Sequence, residues 1–266
     1  MNKPLFGICL CCHNDLLYLK IFIDGIQKNT SVPYEICIYD NGSSDSTIGW
    51  LKSKEKQINN LRIRLGNENL GISAGNYAVE MSDAKYVFNF CPDMYPLPNY
   101  DIEVIKLLEE DNRISVSSNW IVPPGAMVGY QQFNAGEDCQ GFNREKLLNY
   151  YQKSIILSKA KNKINCTHPI AISRKLWDSV KGLDLNYKTS YAAEWDFHRK
   201  LYEVGIKSIQ AGNSYVYHFV SKSFEQFPEA KRNADCQFGL RLFREKWGED
   251  GATFLRKVGI GNIYDG

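Results

Sequence analysis

Apolar and polar positions in the first half of this chain change period repeatedly. "LFGICLCC" (5–12) is a continuous apolar run of strand length, and "DLLYLKIFIDGIQKN" (15–29) repeats its apolar residues at helical spacing. "YEICIYD" (34–40) reads as strand, "DSTIGWLKSKEKQ" (45–57) as helix and "LRIRL" (61–65) as strand. "GISAGNYAVEMS" (71–82) predicts a helix of small residues, "KYVFNFC" (85–91) a strand, "NYDIEVIKLLEED" (99–111) a helix and "RISVSSNWIV" (113–122) a strand. Alternation of this kind predicts an α/β fold with a doubly wound, mostly parallel sheet and helices on both faces. Such sheets bind ligands beyond the carboxyl ends of their strands, near a topological switch point. Asp40 and Asp93 both fall at such ends.

The second half is less regular. "VPPGAMVGYQQFNAGEDCQGFN" (122–143) is long for an unstructured connection in a compact domain, which makes it a candidate lid. "INCTHPIAIS" (164–173) reads as strand and "YAAEWDFHRKLYEVG" (191–205) as helix with Gly205 as its stop. "IKSIQ" and "SYVYHF" read as two further strands, and "EAKRNADCQFGLRLFREKWG" (229–248) as an amphipathic helix. Without a repeat, low-complexity tract or linker, 1–266 is expected to be one domain, with divisions near 120 and 220 and an irregular C-terminal part.

Composition narrows the function. Of 266 residues, 44% are hydrophobic, enough for one large domain with a real core. A formal net charge of +2 with no long run of one sign argues against nucleic acid. No stretch approaches the roughly 18 apolar residues of a spanning helix, and "MNKPLFGICLCC" is too short and wrongly flanked for a signal peptide. The eight cysteines lack disulfide-framework or zinc spacing. Cys9, Cys11, Cys37 and Cys91 lie in strand-like runs where free Cys acts as a small hydrophobe, and a reduced, cytoplasmic protein is expected.

Five pieces carry candidate chemistry. "IYDNGSSDST" (38–47) ends a strand on Asp40 and opens into Asn41, Gly42 and Ser43; Asp40 either caps its own loop as an Asx turn or meets a polar ligand. "NENLGISAGNYAV" (67–79) sets Gly71, Ala74 and Gly75 at a helix mouth, where backbone can approach a ligand closely. "FNFCPDMYPLP" (88–98) holds Asp93 at a strand end followed by prolines. "AISRKLWDSVKGLD" precedes "YAAEWDFHRKLYEVG", and "YVYHF" follows with His218. Glu194 and Asp196 are about 200° apart on a helix, so only one of them faces a given cleft.

In this order and spacing the pieces resemble family 2 glycosyltransferases with the GT-A fold, most closely the rhamnosyltransferase-like branch, over about residues 5–220. The resemblance implies a nucleotide-diphosphate sugar donor and a glycan or lipid-linked acceptor, the latter bringing the protein to the periphery of an inner membrane face. It divides the chain into a nucleotide-sugar-binding half (about 1–120), an acceptor and catalytic half (about 121–220) and a helical tail. Acceptor specificity is expected in the irregular 122–168 region. By position, Cys11, His13, Asp40, Asn41, Gly71 and Asn76 belong to the donor site. Asp93 meets a divalent cation, manganese or magnesium, with His218 as a further metal ligand, a diphosphate donor or a structural residue. Glu194, in place of the family's first Asp, is the candidate general base; Asp196 braces the loop or contacts the acceptor. His198, one turn on, either orients Glu194 or lies on a solvated face. Trp177 and Trp195 are core, or an aromatic platform under a sugar.

Two departures from the family pattern stand out. "Cys91-Pro92-Asp93" supplies one acid where many relatives have Asp-x-Asp, and the base is longer by one methylene. A pyrophosphorylase of similar core would need a glycine- and arginine-rich loop where this chain reads "CCHNDLLYLK". A non-catalytic nucleotide- or glycan-binding relative is the remaining alternative.

Overall fold

The computed structural model describes residues 3–260 apart from 128, 157–159 and 166, and the side chains of 190 and 191 are outside the description. Its strands are β1 (Phe6–Cys12), β2 (Tyr34–Asp40), β3 (Leu61–Leu65), β4 (Tyr86–Asn89), β5 (Met94–Pro96), β6 (Ile114–Val122), β7 (Gln131–Gln132), β8 (Lys163–Ile164), β9 (Ile170–Ser173) and β10 (Lys207–His218). Its helices are α1 (Leu16–Asn29), α2 (Thr47–Glu55), α3 (Gly75–Glu80), α4 (Tyr100–Glu110), α5 (Arg144–Tyr150), α6 (Arg174–Ser179), α7 (Ser190–Glu203), α8 (Lys222–Glu225), α9 (Glu229–Trp247) and α10 (Gly251–Lys257).

One sheet runs in the order β3-β2-β1-β4-β9-β6-β10-β5. It is parallel from β3 through β4, β9 is antiparallel to both β4 and β6, and β6 and β10 are again parallel. Strand alternation sorts the side chains into two layers. Phe6, Ile8 and Leu10 of β1 and Ile36 and Ile38 of β2 pack with Leu19, Phe22 and Ile26 of α1 and with α4. Cys9, Cys11, Cys37 and Tyr39 face the other way, onto α3, α6 and α7 through Ala78, Trp177 and Phe197. Both faces are therefore covered, which is why these strands read as continuous apolar runs. Burial pushes the Cys9 thiol well above its ordinary range and Cys11 up to about 12, so they behave as apolar fillers.

Four elements differ from the sequence reading. "INCTHPIAIS" is two short strands, β8 and β9, because His168 and Pro169 leave the sheet between them; Cys166 lies outside the described residues. "IKSIQ" and "SYVYHF" are one strand, β10, whose register against β6 shifts between Ala211 and Tyr215, and the slip hides its continuity. The small-residue helix begins as a 3₁₀ turn, Ile72–Ala74, before α3. Residues 94–96 also form an edge strand, β5, antiparallel to β10, despite Pro96.

Candidate active site

A cavity of about 580 Å³ opens beyond the carboxyl ends of β1, β2, β4 and β10, of ordinary size for a small-molecule site. Its floor is the end of β1 (Cys11–His13), Asn41 after β2 and the Asn69–Ile72 segment. Asp93 and His218 form one wall and Glu194 of α7 another, while the stretch from Val220 to Asp235 covers the mouth.

The donor-side loops are sewn together by side chains that sequence reading only partly assigned. Asn41 accepts from the Leu70 N–H at 2.9 Å, and its amide donates to Asn69 Oδ1 at 2.9 Å and the Gly71 carbonyl at 3.0 Å. His13 Nδ1 lies 3.0 Å from the Asn41 carbonyl, which can only accept, so Nδ1 carries the proton. The His13 ring is parallel to Phe227, with centroids 6.0 Å apart. Gly71 sits at φ +81°, and a Cβ there would lie 2.4 Å from the Lys188 carbonyl. Only glycine lets the lead-in to α7 pass so close.

Two of the expected donor residues are not on the cavity wall. Asp40 has no exposed surface; its Oδ1 accepts from the Ser43 N–H at 3.0 Å, and Oδ2 faces the Cys12 thiol at 3.9 Å. The carboxylate thus turns inward and shapes the loop that carries Asn41, the Asx-turn reading. Asn76 exchanges two hydrogen bonds with the Leu183 backbone, at 2.7 and 2.9 Å, and clamps α3 to the turn before α7. Replacing Asp40 with Ala strands a buried N–H, so stability should fall by about 1–3 kcal/mol. A lower melting temperature with nucleotide affinity weakened only through the loop is expected. An unaltered melt with lost nucleotide binding in calorimetry would restore direct contact.

Pairing of β5 with β10 sets His218 opposite Met94 and so beside Asp93. Nε2 of His218 is 3.4 Å from Asp93 Oδ1, and Asp93 Oδ2 accepts from the Lys222 N–H at 3.1 Å. Burial acts to raise the Asp93 carboxyl, but His218 and the Lys222 N–H outweigh it and hold it below the usual range. Nδ1 of His218 is buried with no hydrogen-bond partner among the described residues. No group of three His, Cys, Asp or Glu side chains able to hold a metal exists among the described residues. One carboxylate and one imidazole suit manganese or magnesium only as part of a set that a diphosphate and water complete. Lys188 and Lys231 also line the cavity, the Lys231 ammonium pairing there with Asp235 at 2.6 Å.

Asp15, which the sequence reading passed over, also lines the cavity. Its Oδ2 accepts from the His13 N–H at 3.2 Å and the Ser223 hydroxyl at 3.0 Å, tying the covering segment to the floor. That segment starts at Val220 and Ser221, both left-handed at φ +64° and +59°, a costly conformation for a β-branched residue. Burial raises the Asp15 carboxyl to about 7 against the opposing bonds from His13 and Ser223, with Asp93 adding to the rise. A folded acid titrating above its unfolded value loses stability as pH climbs from about 4 to about 7. Asp15→Asn is therefore expected to melt higher than the parent at pH 8, by at most about 4 kcal/mol, with the gap closing towards pH 4. Parallel melting curves across that range would contradict it.

Glu194 and Asp196 diverge as their spacing requires. Glu194 reaches the cavity with 16% of its side chain exposed, and its Oε1 lies 2.7 Å from Nδ1 of the buried His168. Asp196 is wholly buried away from it, accepting from Trp247 Nε1 at 2.8 Å and pairing with Lys246 at 2.8 Å. It holds α9 to α7, the bracing alternative. His198 neither orients Glu194 nor meets solvent: it is buried against the Ser208 hydroxyl at 2.7 Å, and desolvation lowers it to about 3. Trp177 is core, whereas Trp195 packs in the tail cluster and also borders the cavity. Of the described residues in the 122–143 loop, only Met127 lines the cavity.

Solved glycosyltransferases share this architecture, and the chain has the GT-A fold. S. aureus TarS (residues 1–349) in complex with UDP matches with a TM-score of 0.59 and 13% identity, over 90% of this chain and 71% of that one. GalNAc-T7 with UDP, GalNAc and Mn2+ matches with a TM-score of 0.59 and 11% identity, over 82% and 43%. The sequence profile of glycosyl transferase family 2 matches residues 7–179, and the chain belongs to that family. Among curated relatives, chondroitin synthase of Escherichia coli is 25% identical over 206 residues, 76% of this chain and 27% of its own length. Hyaluronan synthase of Pasteurella multocida is 26% identical over 207 residues, 76% of this chain and 19% of its own length. The matched region is thus about a quarter or less of those larger proteins. No helix among the described residues is long and apolar enough to cross a membrane.

Proposed function

We propose that this chain transfers a sugar from a nucleotide-diphosphate sugar to an acceptor hydroxyl with inversion at the anomeric carbon, in the assembly of a polysaccharide or other glycan. The observation that carries this reading is the single cavity bordered by both the Asp93–His218 pair and Glu194. The family membership, the UDP in the TarS complex, the UDP and Mn2+ named with GalNAc-T7, and the polysaccharide synthases among the relatives support it.

The nucleoside lies on the Cys11–His13 and Asn41–Gly71 floor, and Lys188 and Lys231 meet the diphosphate. Asp93 and His218 hold manganese or magnesium, which when bound neutralises the charge of the leaving nucleoside diphosphate. Glu194 removes the proton from the acceptor hydroxyl as its oxygen bonds to the anomeric carbon. The bond from that carbon to the phosphate oxygen breaks, and the electron pair leaves with the diphosphate. Asp15 and Ser223, with Gln226, whose amide donates to the His13 carbonyl at 2.9 Å, draw the covering segment over the site and exclude water, so that the acceptor competes with hydrolysis. The acceptor is a glycan, free or lipid-linked, and a lipid-linked one places the reaction at a membrane periphery.

Melting-temperature shifts with a panel of nucleoside diphosphates, each with manganese, test the donor site, because a bound ligand stabilises by mass action. One nucleoside diphosphate should raise the melting temperature and its monophosphate much less; no shift with any would overturn the reading.

A further inference from the structure

We infer that Phe227 of the covering segment is one side of a slot for the donor's nucleobase, with the ring of His13 as the other side. This rests on the nucleoside lying on the Cys11–His13 floor. The observation that carries it is a pair of parallel rings at the cavity wall. His13 and Phe227 both line the cavity, with their planes 12° apart and their centroids 6.0 Å apart.

The edges of His13 are already taken. Nδ1 donates to the Asn41 carbonyl at 3.0 Å, and Nε2 accepts from the Asn14 amide at 3.4 Å. That amide is oriented by its own Oδ1, which accepts from the Ser44 and Asp45 N–H groups at 2.8 and 3.3 Å. With both nitrogens bound in the surrounding loops, His13 offers a ligand its flat face and not a hydrogen bond.

Phe227 is half-buried and lies outside the apolar clusters of the core. Phe224, three residues earlier, lines the same cavity and is also absent from those clusters. Core packing therefore does not account for these two aromatic side chains, whereas a flat ligand ring would stack on such a surface. Gln226 holds Phe227 over the floor by donating to the His13 carbonyl at 2.9 Å. Besides His13, the Phe227 ring meets the Lys231 ammonium, 5.4 Å from its centroid, a cation already paired with Asp235.

A flat ring seated between two others needs about 7 Å, two carbon contacts of about 3.5 Å each. The slot therefore opens by about 1 Å to admit one. A puckered sugar ring is thicker and would need a wider gap, so the parallel walls favour a base. Every nucleobase has such a face, and the slot adds affinity without choosing among bases.

Calorimetry of the nucleoside diphosphate that stabilises the parent, with Phe227→Leu and Phe227→Tyr beside it, tests the slot. Phe227→Leu should weaken binding by about tenfold or more, since it keeps an apolar side chain but loses the flat ring. Phe227→Tyr keeps the ring and should bind as the parent does. Parental affinity in Phe227→Leu would overturn the inference. Equal losses in both variants would also overturn it, because Phe227 would then act only by closing the segment. Should Phe227→Leu fold poorly, NMR of the parent decides: Overhauser transfer should link the Phe227 ring protons to the protons of the bound base. A bound nucleotide without that transfer would overturn the slot. If the parent binds no nucleoside diphosphate at all, the donor-site reading fails and the slot fails with it.

Discussion

Glu194→Gln should lower turnover by about 10²–10⁴-fold, the usual contribution of a positioned base, while leaving donor affinity nearly unchanged. The amide keeps the size of the side chain but cannot accept the acceptor proton. Its effect should appear in kcat with the folded state intact, because Glu194 lies at the cavity wall and not in the core. Asp196→Asn should behave in the opposite way. It removes the charge that Lys246 neutralises in a buried site, at a cost of about 3 kcal/mol, and should loosen α9 before it touches chemistry. Steady-state kinetics beside thermal melts of both variants give the comparison. Near-normal turnover in Glu194→Gln together with an inactive, folded Asp196→Asn would show the two acids to be reversed.

Asp93→Asn should cost about 10²-fold or more in kcat, and excess chelator should reproduce the loss in the parent protein. A cation on a leaving diphosphate supplies several kcal/mol, and each 1.36 kcal/mol is a factor of about ten. The amide keeps one oxygen for the Lys222 N–H, so the fold should survive. His218→Ala should act in the same direction, since its Nε2 shares the site with the carboxylate. Full activity of the parent in excess chelator would shift diphosphate neutralisation to His218, Lys188 and Lys231.

How much of this was legible in the sequence depends on how local the signal is. β1, β2 and β3 were readable nearly to the residue, because apolar runs of that length between helical periods have one interpretation. Acids at strand ends were readable as candidates, but not the direction in which each turns. Asp40 and Asp93 both end apolar runs; Asp40 folds back onto its own loop, whereas Asp93 is held at the cavity by a strand more than a hundred residues later. His168 was missed because its partners, Asn89 and Glu194, are remote in sequence and "THP" looks like a simple break. Asp15 escaped for a similar reason: its counterpart, Ser223, belongs to the covering segment, which read as the end of a strand and a tail. The helical spacing of Glu194 and Asp196 did separate them, since 200° of rotation survives any tertiary packing.

The most direct test of the central claim is to follow, by NMR in one tube, the anomeric proton of a nucleotide-diphosphate sugar turned over with manganese and a glycan acceptor. The account predicts one nucleoside diphosphate released for each sugar transferred, with a new anomeric signal of inverted configuration. A product of retained configuration, or no nucleoside diphosphate release from any donor in a full panel, would contradict it.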